Sequence, residues 1–364
     1  MNTVLRSFSI HRVDVFLLLP ALALVAISLA TLYSLDVSLF KQQFMALLLG
    51  LIIYFVFLNV NIRYLGAFSK QLYIGILISL GLLFIIGIEA KGAVRWIDIF
   101  GVRLQFSEVF KPFFIVILSH FLTRDESHSL GKFITALILL FPIFFLILRQ
   151  PDLGNAIIYF LAALLMMLVY GFPFRYFLSL GLVILIPMPI FISLLHDYQR
   201  ARIFSFLNST SDPFGSSYNA IQSLISVGSG GVFGKGFGQA TQSILRFLPE
   251  RHTDFIFATI SESLGFIGGI VILSLFILLL SHIYRIAISS RDQFSYLISL
   301  GFFFVLLIHI FFNIGMNLGI LPIVGITLPL VSYGGSSLLT NFLILSMLSS
   351  LRSEEKKDKL FEIK

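Results

Sequence analysis

Cysteine is absent from this chain of 364 residues, which excludes disulfide bonds and thiol chemistry. Charged residues are scarce as well: they make up 12% of the chain, roughly half the share found in soluble domains. The seven histidines are scattered and show no zinc-ligand spacing, so a dedicated zinc site is not expected. The low charge argues against a soluble protein.

Apolar residues dominate what is present. They account for 58% of the chain, which includes 41 phenylalanines and has a mean hydropathy of +0.99. Repeated apolar runs of about 20 residues are typical of membrane-spanning helices. The net charge of +7 then indicates anchoring at the cytoplasmic face rather than nucleic-acid binding. The first run, 15–34, is too long for a cleavable signal and is predicted to be a span.

The apolar runs predict an all-α integral membrane protein with about ten transmembrane helices in one domain, 1–364. The predicted spans are 15–34, 42–60, 71–88, 108–122, 133–148, 155–171, 174–194, 255–281, 294–317 and 335–351. An even number places both termini on one side, which carries 14 Lys and Arg against ten on the other. The excess predicts cytoplasmic termini, with 352–364 as a short charged tail.

The longest connection, 196–254, is predicted to be a large extracytoplasmic loop between spans seven and eight. Loops of this length are either functional or disordered. Apolar residues recur throughout it, for example at Phe204, Leu224 and Phe247. The composition therefore favours amphipathic or re-entrant helix at the membrane interface.

Basic residues on the predicted outer side oppose the usual charge bias. Each could be a solvated loop charge, but together they suggest an anionic ligand, and arginine suits phosphate or diphosphate. Apart from Lys41, these residues are Lys91, Arg95, Arg103, Arg149, Arg200, Arg202, Lys235, Arg246 and Arg251.

Acidic residues close to the spans are candidates for function because charge is costly there. Glu108 and Lys111 lie three residues apart and share a helix face, which also fits a structural ion pair. Asp152 follows a short outer turn, where it could cap a helix or contribute to a polar site with Arg149.

Asp254 lies at the predicted outer boundary of the eighth span, in the polar segment 248–258. It could cap that helix, or it could act as a general base. Glu262, eight residues later, is expected to be buried and either paired or protonated. A polar stripe of His309, Asn313 and Asn317 is more typical of contacts between helices than of catalysis.

Two irregular segments interrupt the apolar pattern. The glycine run 228–238 lacks the Walker A spacing and is predicted to be a tight turn that approaches a ligand. Residues 329–337 predict an irregular break that lines a cavity or is covered by protein.

Several long motifs resemble the shape, elongation, division and sporulation (RodA/FtsW) family and occur in that family's order. Two small departures are Phe106, where the family commonly has Pro, and Val94, where it often has Arg. The elongation (RodA-like) branch is favoured over the division (FtsW-like) branch. The motifs are KGAVRWI (91–97), QFSEVFK (105–111), RQPDLG (149–154), YQRARI (198–203), YNAIQSLISVGSGGVFGKGFG (218–238), LPERHTDFIFA (248–258), ESLGFIGG (262–269) and NIGMNLGILPIVGITLPLVSYGGSS (313–337).

The resemblance implies a peptidoglycan glycosyltransferase of the bacterial cytoplasmic membrane, with its active site facing outward. Its substrate would be lipid II, and its partner a class B penicillin-binding protein. Asp254 matches the family's essential carboxylate. No organic cofactor is expected, and a divalent cation bridging Asp254 or Asp152 to diphosphate is left open. The predicted substrate-binding residues are Lys91, Arg95, Glu108, Lys111, Asp152, Arg200, Arg202, Lys235, Arg251, His252, Ser332 and Ser336.

Two other functions compete with this interpretation. A transporter that flips lipid II would bind the same ligand through the same cations, but it would place ionisable groups or broken helices near the membrane midplane. A non-catalytic scaffold for wall synthesis would leave Asp254 unexplained.

Overall fold

The structure, a computed structural model, describes residues 12–90, 93–99, 102–186 and 218–362. Helices account for most of these residues. The helices are α1 (Val15–Leu35), α2 (Val37–Phe57), α3 (Ile62–Ala67), α4 (Ser69–Ile86), α5 (Phe106–Val109), α6 (Lys111–Thr123), α7 (Leu130–Arg149), α8 (Leu153–Tyr170), α9 (Phe174–Leu185), α10 (Tyr218–Ser229), α11 (Thr241–Ile244), α12 (Ile256–Ser289), α13 (Gln293–Asn317) and α14 (Gly335–Glu362). The strands are β1 (Ile88–Ala90), β2 (Ala93–Ile99) and β3 (Val102–Gln105).

In the described part of the chain, nine of the ten predicted spans overlap one helix each, and the span 108–122 overlaps both α5 and α6. Six of these helices are long and apolar enough to cross a membrane, namely α1, α2, α7, α8, α12 and α13. Three more, α4, α6 and α9, are apolar but shorter. The exact number of spans and the sides of the termini stay predictions. The predicted tail begins as a continuation of α14.

The all-α prediction is wrong for one stretch, where three short antiparallel strands form a sheet in the order β1-β2-β3. β2 pairs with β3 in a register that places Trp96 opposite Gln105 and Asp98 opposite Arg103. Residues 94–105 contain β-branched and aromatic residues on both sides of a glycine. This pattern is typical of two strands joined by a turn. The strand signal was missed because the strands are short and the whole sheet lies in a connection between two apolar helices.

The predicted outer loop 196–254 is described only from residue 218 onward. Its helix α10 confirms that part of the loop is helical. This helix buries Ser223 and Ser226 and exposes Leu224 and Ile225, the reverse of the pattern in a soluble helix. Such a pattern fits a helix whose outer face meets lipid, so a position at the membrane interface stays the prediction.

Helix α12 is broken at Gly265, whose backbone is non-helical with φ 69°. The glycine run 228–238, called here the glycine loop, fills the break and hydrogen-bonds to the peptide groups that the break leaves without helical partners. The predicted close approach is therefore made to a helix break. The bonds are Phe266 N to Gly231 O (2.8 Å), Ile267 N to Val232 O (3.2 Å), Lys235 N to Glu262 O (3.0 Å) and Gly236 N to Ser263 O (2.9 Å).

Helix α13 lies at the centre of the bundle, packed against α6, α8 and α12. Residues 322–334, called here the core segment, follow it without regular structure and are largely buried; Leu328 and Val331 are both 0% exposed. Side chains of distant helices bond its carbonyl groups, among them Ser28 to Val331 O (2.5 Å) and Gln43 to Ser332 O (3.2 Å). The predicted irregular break 329–337 is confirmed for 329–334, which protein covers, and is wrong for 335–337, which begin α14.

Candidate active site

Asp254 lies on a stretch of backbone that is fixed by its neighbours. The carbonyl oxygens of three successive residues all accept hydrogen bonds from α13 or from the core segment. Because donors on α13 and on the core segment hold these three carbonyl groups, the backbone at this point has little conformational freedom. The Cβ atom of Asp254 is therefore held in one place. The bonds are Tyr333 N to His252 O (2.8 Å), Ser332 Oγ to Thr253 O (2.7 Å), Asn313 Nδ2 to Asp254 O (3.0 Å) and Asn317 Nδ2 to Asp254 O (2.9 Å).

The side chain of Asp254 is half-buried. Helix α12 begins at Ile256, and its N-cap residue is Phe255, which makes no side-chain capping bond. Asp254 therefore does not hold the N-cap position that would give it a purely structural role. Its Oδ2 atom lies beside Gly325, where an added Cβ would be 3.5 Å away.

Asp152 caps α8 as predicted, but its polar cluster forms with Arg95 and not with Arg149, which lies over the ring of Phe145. Its Oδ1 accepts the peptide N–H of Asn155 at 3.2 Å, which caps α8. Its Oδ2 accepts side-chain bonds from Gln105 (2.5 Å), Ser107 (3.1 Å) and Asn155 (2.8 Å). The Nη1 atom of Arg95 lies 3.8 Å from Oδ1. The cap is thus also the centre of a buried polar cluster.

Lys111 is 2% exposed and joins two elements that carry the site. Its Nζ donates to Glu108 Oε1 at 2.7 Å and to His309 Nε2 at 2.8 Å. The other ring nitrogen, Nδ1, lies 3.0 Å from the carbonyl oxygen of Thr327. This geometry requires the His309 tautomer protonated at Nδ1, since only that form donates to a carbonyl and accepts from an ammonium group. Glu108 and Lys111 therefore form an ion pair, and His309 connects this pair to α13 and to the core segment.

The core segment brings the Asp152 cluster and Asp254 towards one another. At the start of α8, a Cβ on Gly154 would lie 2.8 Å from Val324 O and 2.9 Å from Ile326 Cγ1. Gly325, which lies between Val324 and Ile326, is the neighbour of the Asp254 carboxylate. The two carboxylates thus flank the same short piece of backbone.

Two of the predicted cationic ligands, Arg95 and Arg251, have hydrogen-bonding capacity left over. The Nε atom of each is buried and has no hydrogen-bond partner among the described residues. Burial, together with the nearby charge of Arg246, lowers the pKa of Arg251 from its usual value. A buried N–H without a partner is uncommon, and an anionic ligand would satisfy it.

The other predicted ligands are arranged differently. Lys235 donates to Glu262 Oε1 at 3.1 Å. The His252 ring lies 5.4 Å from the ring of Tyr333. Lys91, Arg200 and Arg202 lie outside the described residues. Binding of substrate by these residues stays a prediction.

Ser332 and Ser336 join separate parts of the backbone through their hydroxyls. Besides its bond to Thr253 O, Ser332 Oγ accepts the peptide N–H of Leu328 at 2.8 Å. Ser336 Oγ accepts the peptide N–H of Gln105 at 2.9 Å and donates to Arg103 O at 3.1 Å. Both serines therefore hold together the backbone segments that carry the site. Direct contact of either serine with substrate stays a prediction.

No group of three or more His, Cys, Asp or Glu side chains gathers to hold a metal ion within 12–90, 93–99, 102–186 and 218–362. A divalent cation shared with a diphosphate stays untested.

Comparisons with known proteins place the chain in a family. A model described as the FtsW, RodA and SpoVE cell cycle protein matches residues 8–357. The chain belongs to the FtsW/RodA/SpoVE family. It is 38% identical to the peptidoglycan glycosyltransferase MrdB of Escherichia coli K12 over 350 residues, 95% of either chain.

Two solved structures resemble the family fold seen here. One chain, from work on the coordination of polymerisation and crosslinking by a peptidoglycan synthase complex, has a TM-score of 0.83 and 29% identity, covering 95% of this chain and 99% of that one. The rod shape determining protein RodA of Thermus thermophilus has a TM-score of 0.71 and 28% identity, covering 94% and 97%. Together with the apolar helices, these relatives identify a multi-pass membrane protein.

Sequence reasoning missed several polar side chains that hold the FtsW/RodA/SpoVE site together. Gln43 is 0% exposed and bonds both Ser332 O and the peptide N–H of Gly334. Gln105 and Asn155 surround Asp152. A polar residue inside an apolar run is the available signal, and it singled out the stripe on α13 but not Gln43.

Proposed function

We propose that the chain is a peptidoglycan glycosyltransferase that polymerises lipid II into glycan strands at the outer face of the cytoplasmic membrane. The observation that supports this most is the placement of Asp254: the backbone around it is fixed by four hydrogen bonds while the residue itself is only half-buried. A group held in this way is suited to acting on a ligand. The family relatives named as glycosyltransferases support the same reaction.

In the proposed reaction a sugar hydroxyl of the acceptor attacks the anomeric carbon of the donor. The new glycosidic bond forms as the bond to diphosphate breaks, and undecaprenyl diphosphate leaves with inversion. Asp254 removes the proton of the attacking hydroxyl as general base. An activated phosphate leaving group lessens the need for a general acid.

The arginines would stabilise the diphosphate as negative charge develops on it. Arg95 and Arg251 each have a buried Nε–H available for this purpose. Donors that are already in place need no reorganisation during the reaction. Asp152 keeps Arg95 at this end of the bundle, and apolar faces between the helices would receive the lipid tail.

A class B penicillin-binding protein is the proposed partner, and cell elongation is the proposed setting. The similarity to a chain from a peptidoglycan synthase complex supports such a partner. The similarity to MrdB and to a rod shape determining protein favours elongation over an FtsW-like role in division.

The alternative is a lipid II transporter, and one observation favours it. Helix α12 is broken at Gly265, and broken helices are common at the substrate sites of transporters. Here, however, the glycine loop already occupies the break and satisfies its peptide groups. Among the described residues, the buried Nε–H groups of Arg95 and Arg251, rather than the break, are left for a ligand.

Purified protein in detergent, supplied with lipid II, tests the proposal with and without its transpeptidase partner. Glycan polymer should form, since polymerisation needs no second compartment whereas flipping does. Failure to form polymer under both conditions, with lipid II transport in vesicles intact, would establish the transporter instead.

A further inference from the structure

A cavity of about 310 Å³ lies at the end of the bundle far from Asp254, where α1 begins and α12 and α14 approach their ends. Its lining residues are Phe16, His282, Arg285, Ile286, Ser289 and Arg352. The unbroken part of α12, from Phe266 to Ser289, spans roughly 35 Å, which exceeds the ~30 Å hydrocarbon core of a bilayer. The cavity and the catalytic site therefore belong to opposite membrane faces.

A second cavity of about 190 Å³ adjoins the first, and the two share Phe16 and Arg352. Arg12 and Asp14 line this second cavity. Among the described residues, the pair of cavities thus carries three arginines against one carboxylate, with His282 beside them.

That carboxylate is already engaged. Asp14 caps α1 through its Oδ1, which accepts Phe16 N at 3.1 Å. Its Oδ2 contacts His282 Nε2 at 2.9 Å and also bonds Arg352. Arg285 is exposed and pairs with no carboxylate among the described side chains. Counted over the described side chains, positive charge exceeds negative charge at the mouth of the cavity, which favours an anion.

The surroundings of the cavity indicate which anion. Apolar side chains beside it point away from the bundle: Phe16 is 69% exposed, Leu19 66% and Ile288 57%. In a membrane protein such a surface meets acyl chains, and α1 packs directly against α12. A free phosphate ion would use the cations but not this apolar surface, whereas a phospholipid would use both.

We propose that these adjoining cavities bind the phosphate head group of an anionic membrane phospholipid, with Arg285 and Arg352 as its ligands. The acyl chains would lie along the exposed faces of α1 and α12. One lipid would then link the ends of three helices on the face opposite the catalytic site.

Native mass spectrometry of the purified protein tests this with phosphatidylglycerol, phosphatidylcholine and inorganic phosphate as probes. We expect phosphatidylglycerol to bind best and Arg285→Gln to weaken it about five- to tenfold, the effect of one basic residue near an anionic head group. Arg285→Lys should keep most of the binding. Arg124→Gln is the matched control, since Arg124 is exposed after α6 and lines neither cavity.

Equal binding of phosphatidylglycerol and phosphatidylcholine would overturn the proposal. So would equal losses in Arg285→Gln and Arg124→Gln, because charge at the surface alone would then explain the preference. Inorganic phosphate that displaces the lipid at equal concentration would rule out a contribution from the acyl chains. The thermal midpoint of each variant shows that it is folded.

Discussion

Two carboxylates eight residues apart are held in opposite ways. Glu262 is 0% exposed, and its two oxygens accept bonds from Lys235, Thr241, Gln242 and Ser243. Asp254 is half-exposed and is held through its peptide carbonyl and those of the two preceding residues.

The difference separates a structural carboxylate from one suited to chemistry. At Glu262 the protein uses the charge itself, closing the glycine loop and α11 onto the first part of α12. At Asp254 the protein fixes the backbone, which places the Cβ atom from which the carboxylate extends. A general base must be placed in advance and must be able to exchange a proton.

Replacing Asp254 by Asn tests this contrast most strongly. Asp254→Asn keeps the shape but cannot take a proton, so we expect the polymerisation rate to fall by about 10²–10⁴-fold with little change in stability. Glu262→Gln should do the reverse: it weakens charged hydrogen bonds in a buried site, which costs about 1.5–3 kcal/mol. The rate per folded molecule and the thermal midpoint of both variants measure the two effects. Full activity in Asp254→Asn would contradict the base assignment.

Lys111 provides a third case, in which the charge and its partner are both buried. Lys111→Met leaves Glu108 without its cation, and removal of one partner of a buried pair costs about 3–5 kcal/mol. We expect a large drop in thermal midpoint. The double variant Lys111→Met, Glu108→Gln should recover part of the loss, because no unpaired charge remains. A single variant as stable as the parent would show that the pair contributes nothing.

Arg95 and Arg251 test whether the cations of the candidate site bind the ligand. Loss of one charged hydrogen bond to diphosphate costs about 1–3 kcal/mol, so Arg95→Gln and Arg251→Gln should each lower kcat/KM for lipid II by roughly 5- to 150-fold. Lys41→Gln is the control, since Lys41 is exposed on α2 and outside the predicted clusters. If all three variants behave alike, the diphosphate contact is not made by these arginines.

Gly325 tests whether the backbone beside the Asp254 carboxylate is held in one conformation, and here we expect the smallest effect. Its φ of +70° is unfavourable for alanine, so Gly325→Ala should cost about 1–2 kcal/mol of stability. Gly75→Ala is the matched control, because Gly75 lies within α4 and an added Cβ would meet nothing within 4 Å. That change should be neutral or slightly stabilising. Equal thermal midpoints for the two variants would argue that the turn at Gly325 is readily rearranged.

Much of the helical framework was accessible from the sequence, because repeated apolar runs of span length are typical of membrane-spanning helices and rare in soluble domains. Asp254 was found by its position at a span boundary, and the resemblance assigned its role. The contacts that hold it were not accessible: Gln43 meets Ser332 across 289 positions of the chain. Only the folded bundle brings such pairs together. Local patterns do not encode them, which is also why the core segment was predicted only as a break.

The glycine loop constrains the order in which the protein can be built. It precedes α12 in the chain, so it is synthesised before the helix whose break it fills. Peptide groups at a break cannot face lipid without partners. The loop and the first part of α12 must therefore enter the membrane together, as one hairpin-like unit.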